Sequence, residues 1–251
     1  PTAMEKRPGL PSAGDVRNVP PSAPAAGSPS TSGPCMSITR KSILIILLIL
    51  VADQTLKILV KNHMTLYQQI PLLGNWGILH FVENNGMAFV MALPGSLGKI
   101  LLTTFRILAV VAIGLYLRHL IQRKAHTGLI LTLAMVMAGA IGNIIDSVFY
   151  GVIFSSSSPV QTATMFPEGG GYAPLMQGKV VDMFYFPLIN TRYPEWFPFW
   201  GGNQLIFFRP VFNIADSSIS VAVAIILFNQ KRFFRHIEAG QAKEKSEESQ
   251  A

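Results

Sequence analysis

Apolar residues in this chain gather into four runs of membrane length, separated by one short basic connection and two long mixed ones. The first run begins behind Arg40-Lys41 and continues past Asp53-Gln54 to Val60. Its ~18 residues cover roughly 27 Å as a helix. It has no small-residue cleavage site at its end, so it reads as a retained span rather than a signal peptide. Residues 100–121 form the second run, interrupted by Arg106, and residues 128–145 the third. In the third, LAMVMAGAIG supplies small side chains that let helices approach closely. Residues 212–228 form the fourth, opening with the polar stretch in NIADSSIS. No fixed-period repeat or inverted pair relates the runs.

The long connections are not plain hydrophilic linkers. PLLGNWGILHFVENNGMAFVMALPG mixes aromatics, glycine and alternating apolar residues, which predicts short strands and turns at the membrane interface. In the second connection Tyr185, Tyr193, Trp196 and Trp200 suit an aromatic belt. Residues 154–171 are rich in Ser and Gly and are expected to form a mobile excursion. The expected fold is an α-helical integral membrane protein with four transmembrane helices and a small β-rich extracytoplasmic region. Residues 1–35 are expected to be a disordered extension, an expression remnant ahead of the start-like MSITRKS; the membrane domain covers 36–236 and a polar tail 237–251, unstructured from Gln241.

Composition supports the membrane reading. Of 251 residues half are hydrophobic and only 13% charged, too few charges to cover a soluble globule of this size. The single cysteine, Cys35, allows no internal disulfide or thiolate metal cluster. A net charge of +7 suggests nucleic acid at first, but here the basic residues flank spans. Arg40, Lys41, Arg118, Arg123, Lys124, Lys231, Arg232 and Arg235 fall on one side, in short segments near span ends. Both termini are therefore expected in the cytoplasm and both long connections outside, with no nucleic-acid partner.

Ionisable residues inside spans are costly and usually functional. Here they are Asp53, Lys57, Arg106, Asp146 and Asp216, and the topology sets the acids near the outer face together with Asp182 of the second connection. Each also has a structural reading. Asp216 after Asn213 suits a helix cap, Asp53 and Lys57 four apart suit an ion pair, Arg106 suits snorkelling, and Asn143 with Asp146 suits interhelical bonding. His63, His80, His119, His126 and His236 show no ligand spacing, so neither a metal nor another cofactor is expected. Two neighbouring carboxylates divide their work: one stays protonated while the other, ionised, activates water for amide hydrolysis. The residues alone leave open which pair meets.

From residues 42 to 228 the chain resembles the bacterial lipoprotein signal peptidases, signal peptidase II. The resemblance rests on five blocks in order: Asp53-Gln54 with Lys57; Asn84, Gly86, Met87, Ala88 and Phe89; Gly139, Ala140, Gly142, Asn143 and Asp146; Val180-Val181-Asp182; and Phe212-Asn213 with Ala215-Asp216. It implies a metal-free aspartyl peptidase of the cytoplasmic (inner) membrane, a monomer among membrane lipids. Its substrate would be a diacylglyceryl prolipoprotein, cut just before the lipidated cysteine. By motif, Asp182 and Asp216 correspond to the catalytic dyad. Asn143, Asp146 and Asn213 would orient dyad and substrate, Asp53, Lys57 and Ala215 would support the site, and Asn84 and Gly86 would cradle the substrate. Two features depart from the family. Ser147 stands where an arginine is usual, with Arg106 or Lys179 as replacement. The segments from Asp146 to Asp182 and from Asp182 to Asp216 are long, at 36 and 34 positions. The rival functions are an ion-coupled transporter, which needs midplane acids and repeats, and a non-catalytic membrane subunit whose acids are caps and ion pairs.

Overall fold

The computed structural model describes residues 36–74, 76–86, 96–187, 189–192, 194–196, 202–207 and 210–248. The expected disordered extension, the motif residues Met87, Ala88 and Phe89, and the belt residues Tyr193 and Trp200 lie outside the described residues.

The apolar runs form helices long enough to cross a membrane: α1 (Ile38–His63), α2 (Ser96–Gln122), α3 (Thr127–Ile145) with its continuation, and α5 (Ile214–Glu248), apolar to Phe233. Helix α3 runs past its expected end through a π-helical turn, Asp146–Tyr150, into the short helix α4 (Gly151–Ile153). The cause is that SVFYGVI stays apolar, so nothing stops the helix. Asp146 is consequently inside the third span rather than at its edge. At the other extreme, the tail expected to be unstructured from Gln241 continues α5 to Glu248. Its Ala, Glu, Lys and Gln residues favour helix.

Large apolar side chains cover the outside of the helices, including Leu48, Phe105, Leu108, Leu227 and Phe228. In lipid this is the favourable arrangement, because the backbone polar groups are satisfied within each helix. One core cluster joins Leu117, Leu120, Leu129, Ile130, Ala134 and Phe233 at one end of the bundle. At the other end Val60, Met64, Phe81, Tyr150, Phe154, Ala163, Val181 and Met183 join helices to sheet.

That sheet is antiparallel, in the order β1 (Gln69–Pro71), β2 (Ile78–Asn84), β3 (Val180–Tyr185), β6 (Val211–Phe212), with a separate hairpin of β4 (Ile189–Arg192) and β5 (Gln204–Phe207). Between Leu79 and Val82 the pairing of β2 with β3 shifts register, and beyond the shift Val82 faces Asp182 and Asn84 faces Val180. The bulge re-aims the end of β2.

Residues 154–171 are not the expected mobile excursion. Phe154 is 0% exposed and bridges Met165, and Ala163 is buried beside it. Ser155 accepts from the Thr164 backbone N–H, and Ser158 accepts from that of Gln161. A Ser-rich composition hid hydroxyls that close local turns and a few apolar anchors spaced without a regular period.

Candidate active site

Helix α1 carries the first components on one face. Asp53 and Lys57 are a turn apart, and both are buried. The Lys57 ammonium lies 2.8 Å from an Asp53 oxygen, 2.8 Å from an Asp146 oxygen and 3.0 Å from Asn143 Oδ1. Its donors are thus all used, which is what a buried ammonium requires. Gln54 adds a bridge: its amide nitrogen donates to Asp53, Asp146 and the Gly142 carbonyl, while its oxygen accepts from the Tyr150 hydroxyl.

Asp146 and Asp53 also hold backbone. Asp146 accepts from the Val181 N–H at 3.2 Å and so fixes β3 one residue before Asp182. Asp53 accepts from the Ala215 N–H at 2.9 Å and fixes the first turn of α5. Helices α3 and α5 touch closely here, since a side chain on Gly139 would collide with the Ala215 carbonyl.

Asp182 and Asp216 meet around two asparagines. Asn213 Nδ2 donates to Asp182 Oδ1 at 2.7 Å, while Asn213 Oδ1 accepts from the Asp216 N–H at 2.9 Å. Asp216 returns a carboxylate oxygen toward the Asn213 N–H, a reciprocal cap on α5. Its other oxygen accepts from Asn143 Nδ2 at 2.7 Å. Asn84 Nδ2 donates to the second Asp182 oxygen at 3.2 Å. Burial, and after it the Asp216 carboxylate, pushes the Asp182 carboxyl up to about 7, against the opposing pull of the Asn84 and Asn213 hydrogen bonds. The arrangement therefore holds a carboxylic acid that keeps its proton near neutrality beside a second carboxyl group, the requirement for general acid–base work on water and an amide.

Asp53, Lys57, Asn84, Asn143, Asp146, Asp182, Asn213, Ala215 and Asp216 thus form one connected network. Gly86 joins through its N–H, which donates to Asn84 Oδ1 at 2.8 Å, and its carbonyl oxygen lies 3.5 Å from the Arg106 guanidinium. Gly86 has φ +79°, and an added Cβ would lie 2.7 Å from that guanidinium. Arg106 does not snorkel away from the site: it donates to Ser147 Oγ at 3.2 Å, whereas Lys179 turns to Glu83. Of the two candidate replacements, Arg106 is the one beside Ser147. Gln54 and Tyr150 were missed as site components, although polar groups within an apolar run were the signal for both. Among the described residues, no group of three or more His, Cys, Asp and Glu is placed to hold a metal ion.

Comparison with known proteins identifies the family. The family described as signal peptidase (SPase) II matches residues 45–232. A lipoprotein signal peptidase of Porphyromonas gingivalis is 50% identical over 184 residues, which are 73% of this chain and 79% of the relative. That of Amoebophilus asiaticus is 36% identical over 192 residues, covering 74% of this chain and 76% of the relative. The fold is similar to a bacterial membrane enzyme solved by the in meso method at 2.3 Å resolution, with a TM-score of 0.50 and 22% identity over 77% of this chain and 88% of that chain. A multi-pass membrane bundle, a polar network at one end and a family match over most of the chain lead to one conclusion: this chain belongs to the signal peptidase II family.

Proposed function

We propose that this protein is an aspartyl endopeptidase that removes the signal peptide from diacylglyceryl prolipoproteins, cutting just before the lipidated cysteine. Asp182 and Asp216 are the catalytic pair. The observation that carries this is the Asn213 side chain, which bonds Asp182 through its nitrogen and the Asp216 N–H through its oxygen. Asp216 acts ionised and takes a proton from water, whose oxygen attacks the scissile carbonyl. Asp182 gives its proton to the carbonyl oxygen, forming the tetrahedral diol. Proton return to Asp182 from the diol and from Asp216 to the leaving nitrogen then accompanies rupture of the C–N bond. The burial of Asp182 favours its neutral form, which suits the proton donor.

The lipid anchor explains why such a site sits at one end of a membrane bundle. A diacylglyceryl cysteine held in the outer leaflet presents its preceding peptide bond at the interface. This requires both termini in the cytoplasm and the sheet outside, as the Lys and Arg distribution supports. The transporter alternative is not favoured, because the acids cluster at one end of the bundle.

The direct test is cleavage of a diacylglyceryl prolipoprotein peptide by the purified protein with EDTA present. Cleavage at the cysteine, unaffected by chelation, is the expected result. Loss of cleavage on chelation with recovery on adding zinc would sink the aspartyl mechanism.

A further inference from the structure

A second buried charged cluster, which the proposed chemistry does not use, lies directly behind the first. Lys61 follows Lys57 by one helical turn and is likewise 0% exposed. It pairs with Glu83 on β2 and also donates to Ser157 Oγ at 2.9 Å. Ser157 in turn donates to Glu83 Oε1 at 2.8 Å, and Lys179 reaches Glu83 Oε2 at 3.0 Å. Burial by itself would raise the Glu83 carboxyl, but Lys61 and these hydrogen bonds bring it below its ordinary value. The Tyr172 ring lies over the cluster, 5.1 Å from the Lys61 ammonium, and its hydroxyl accepts from the Lys179 N–H. Ser157, Tyr172 and Lys179 all come from the long segment between α4 and β3.

Buried ion pairs return little net stability, because desolvation offsets the attraction; their best-attested use is to specify an arrangement. Here the specified arrangement is legible in the strand. Successive side chains of β2 point to opposite faces. Phe81 belongs to the core cluster with Val181 and Met183, and Glu83, paired with Val181, turns to that side. Asn84, the next residue, turns to the other and donates to Asp182. A carboxylate held by two ammonium groups and a hydroxyl therefore fixes the backbone one residue before the asparagine that touches the dyad.

We propose that Glu83 is a positioning residue for catalysis and that residues 154–179 act as a strut: Ser157 and Lys179 lock Glu83, and Glu83 sets Asn84 against Asp182. This rests on the reading of Asp182 and Asp216 as the catalytic pair. It assigns the long segment a role in chemistry, not in substrate affinity alone.

A double-mutant cycle on the full-length protein in detergent, with a diacylglyceryl prolipoprotein peptide, tests it. Glu83→Gln is expected to lower kcat about tenfold with KM nearly unchanged, the signature of a misplaced catalytic group. In an Asn84→Ala background the same substitution is expected to add nothing, since the pathway it acts through is already cut. Ser157→Ala removes only a hydroxyl from the strut and leaves the Lys61 pair; it should show a smaller kcat loss with the same dependence on Asn84. Multiplicative losses in the double variants, or normal kcat in both folded single variants, would overturn the strut. Asp182→Asn is measured alongside. If it turns over normally, the dyad itself is wrong and the strut falls with it; if it is dead while Glu83→Gln and Ser157→Ala are normal, only the strut is wrong.

Discussion

Asp182, Asp216 and Asp146 differ in what their oxygens hold, and their proposed roles follow that difference. Asp146 spends its oxygens on Lys57, Gln54 and the Val181 N–H, so it organises backbone and charge. Asp182 and Asp216 receive mainly asparagine amides, which orient a carboxyl group without neutralising it. Asp182→Asn and Asp216→Asn should each lower kcat by roughly 10²- to 10⁴-fold in folded protein that still binds lipopeptide. Asp146→Asn should cost more in stability or binding than in chemistry. Near-normal turnover by Asp182→Asn beside a dead, folded Asp146→Asn would reverse the assignment. The raised proton affinity of Asp182 also has a sign that can be measured. In the proposed mechanism Asp182 must carry its proton, so kcat/KM should fall as pH rises through about 7. A carboxyl raised on folding binds protons more tightly in the folded state, so its contribution to stability is full at low pH. That contribution is lost between the ordinary carboxylate range and about pH 7. Thermal melts of wild type against Asp182→Asn should therefore converge at acid pH and separate above it, with the wild type the less stable; parallel melts at all pH values would contradict this.

Helix α3 is the element that makes the site compact. Its small residues allow α5 to come so close that Asn143 on one helix reaches both Asn213 and Asp216 at the start of the other. Gly139→Ala would place a methyl group against the Ala215 carbonyl and force the helices apart. The expected cost is about 1–3 kcal/mol of stability, as for other overpacked contacts, together with reduced cleavage. A variant with unchanged melting temperature and unchanged rate would show that the helix contact is looser than its geometry. The segment between α4 and β3 is the second decisive element. Replacing residues 155–170 by a Gly/Ser linker removes Ser157 and the anchor at Ala163, so the folded product is expected to lose turnover more than peptide affinity. Loss of peptide affinity with turnover unchanged would show that the segment matters for binding alone.

At the scale of the whole molecule, the bundle keeps apolar side chains outside and gathers its buried charges at one end, where α1 and α3 finish and α5 begins. In the proposed topology the short basic connection and both termini are cytoplasmic, and that end faces outward. In a variant whose Cys35 is replaced by serine, a single cysteine at Val160, 92% exposed, should react with an impermeant thiol reagent added to intact cells or spheroplasts. One at Thr127 should react only after permeabilisation. The opposite pattern would invert the proposed topology. Position 157 is unsuitable for this test, because its side chain is buried against Lys61 and Glu83.

Residue pattern alone determined the four spans, the strands at the interface and the identity of the acids, because lipid imposes long uninterrupted apolar runs and makes every intramembrane charge conspicuous. The motif blocks named the members of the network but not their wiring. That Asn213 joins Asp182 to Asp216, that Arg106 rather than Lys179 stands beside Ser147, and that α3 continues through a π-helical turn were decided only by packing. These contacts join residues far apart in the chain, and no local periodicity encodes them. The strut was the least legible part. Nothing in the local pattern around Lys61, Glu83 or Ser157 marks them as partners. Only the folded chain desolvates them together, and desolvation is what turns scattered charges into a fixed point.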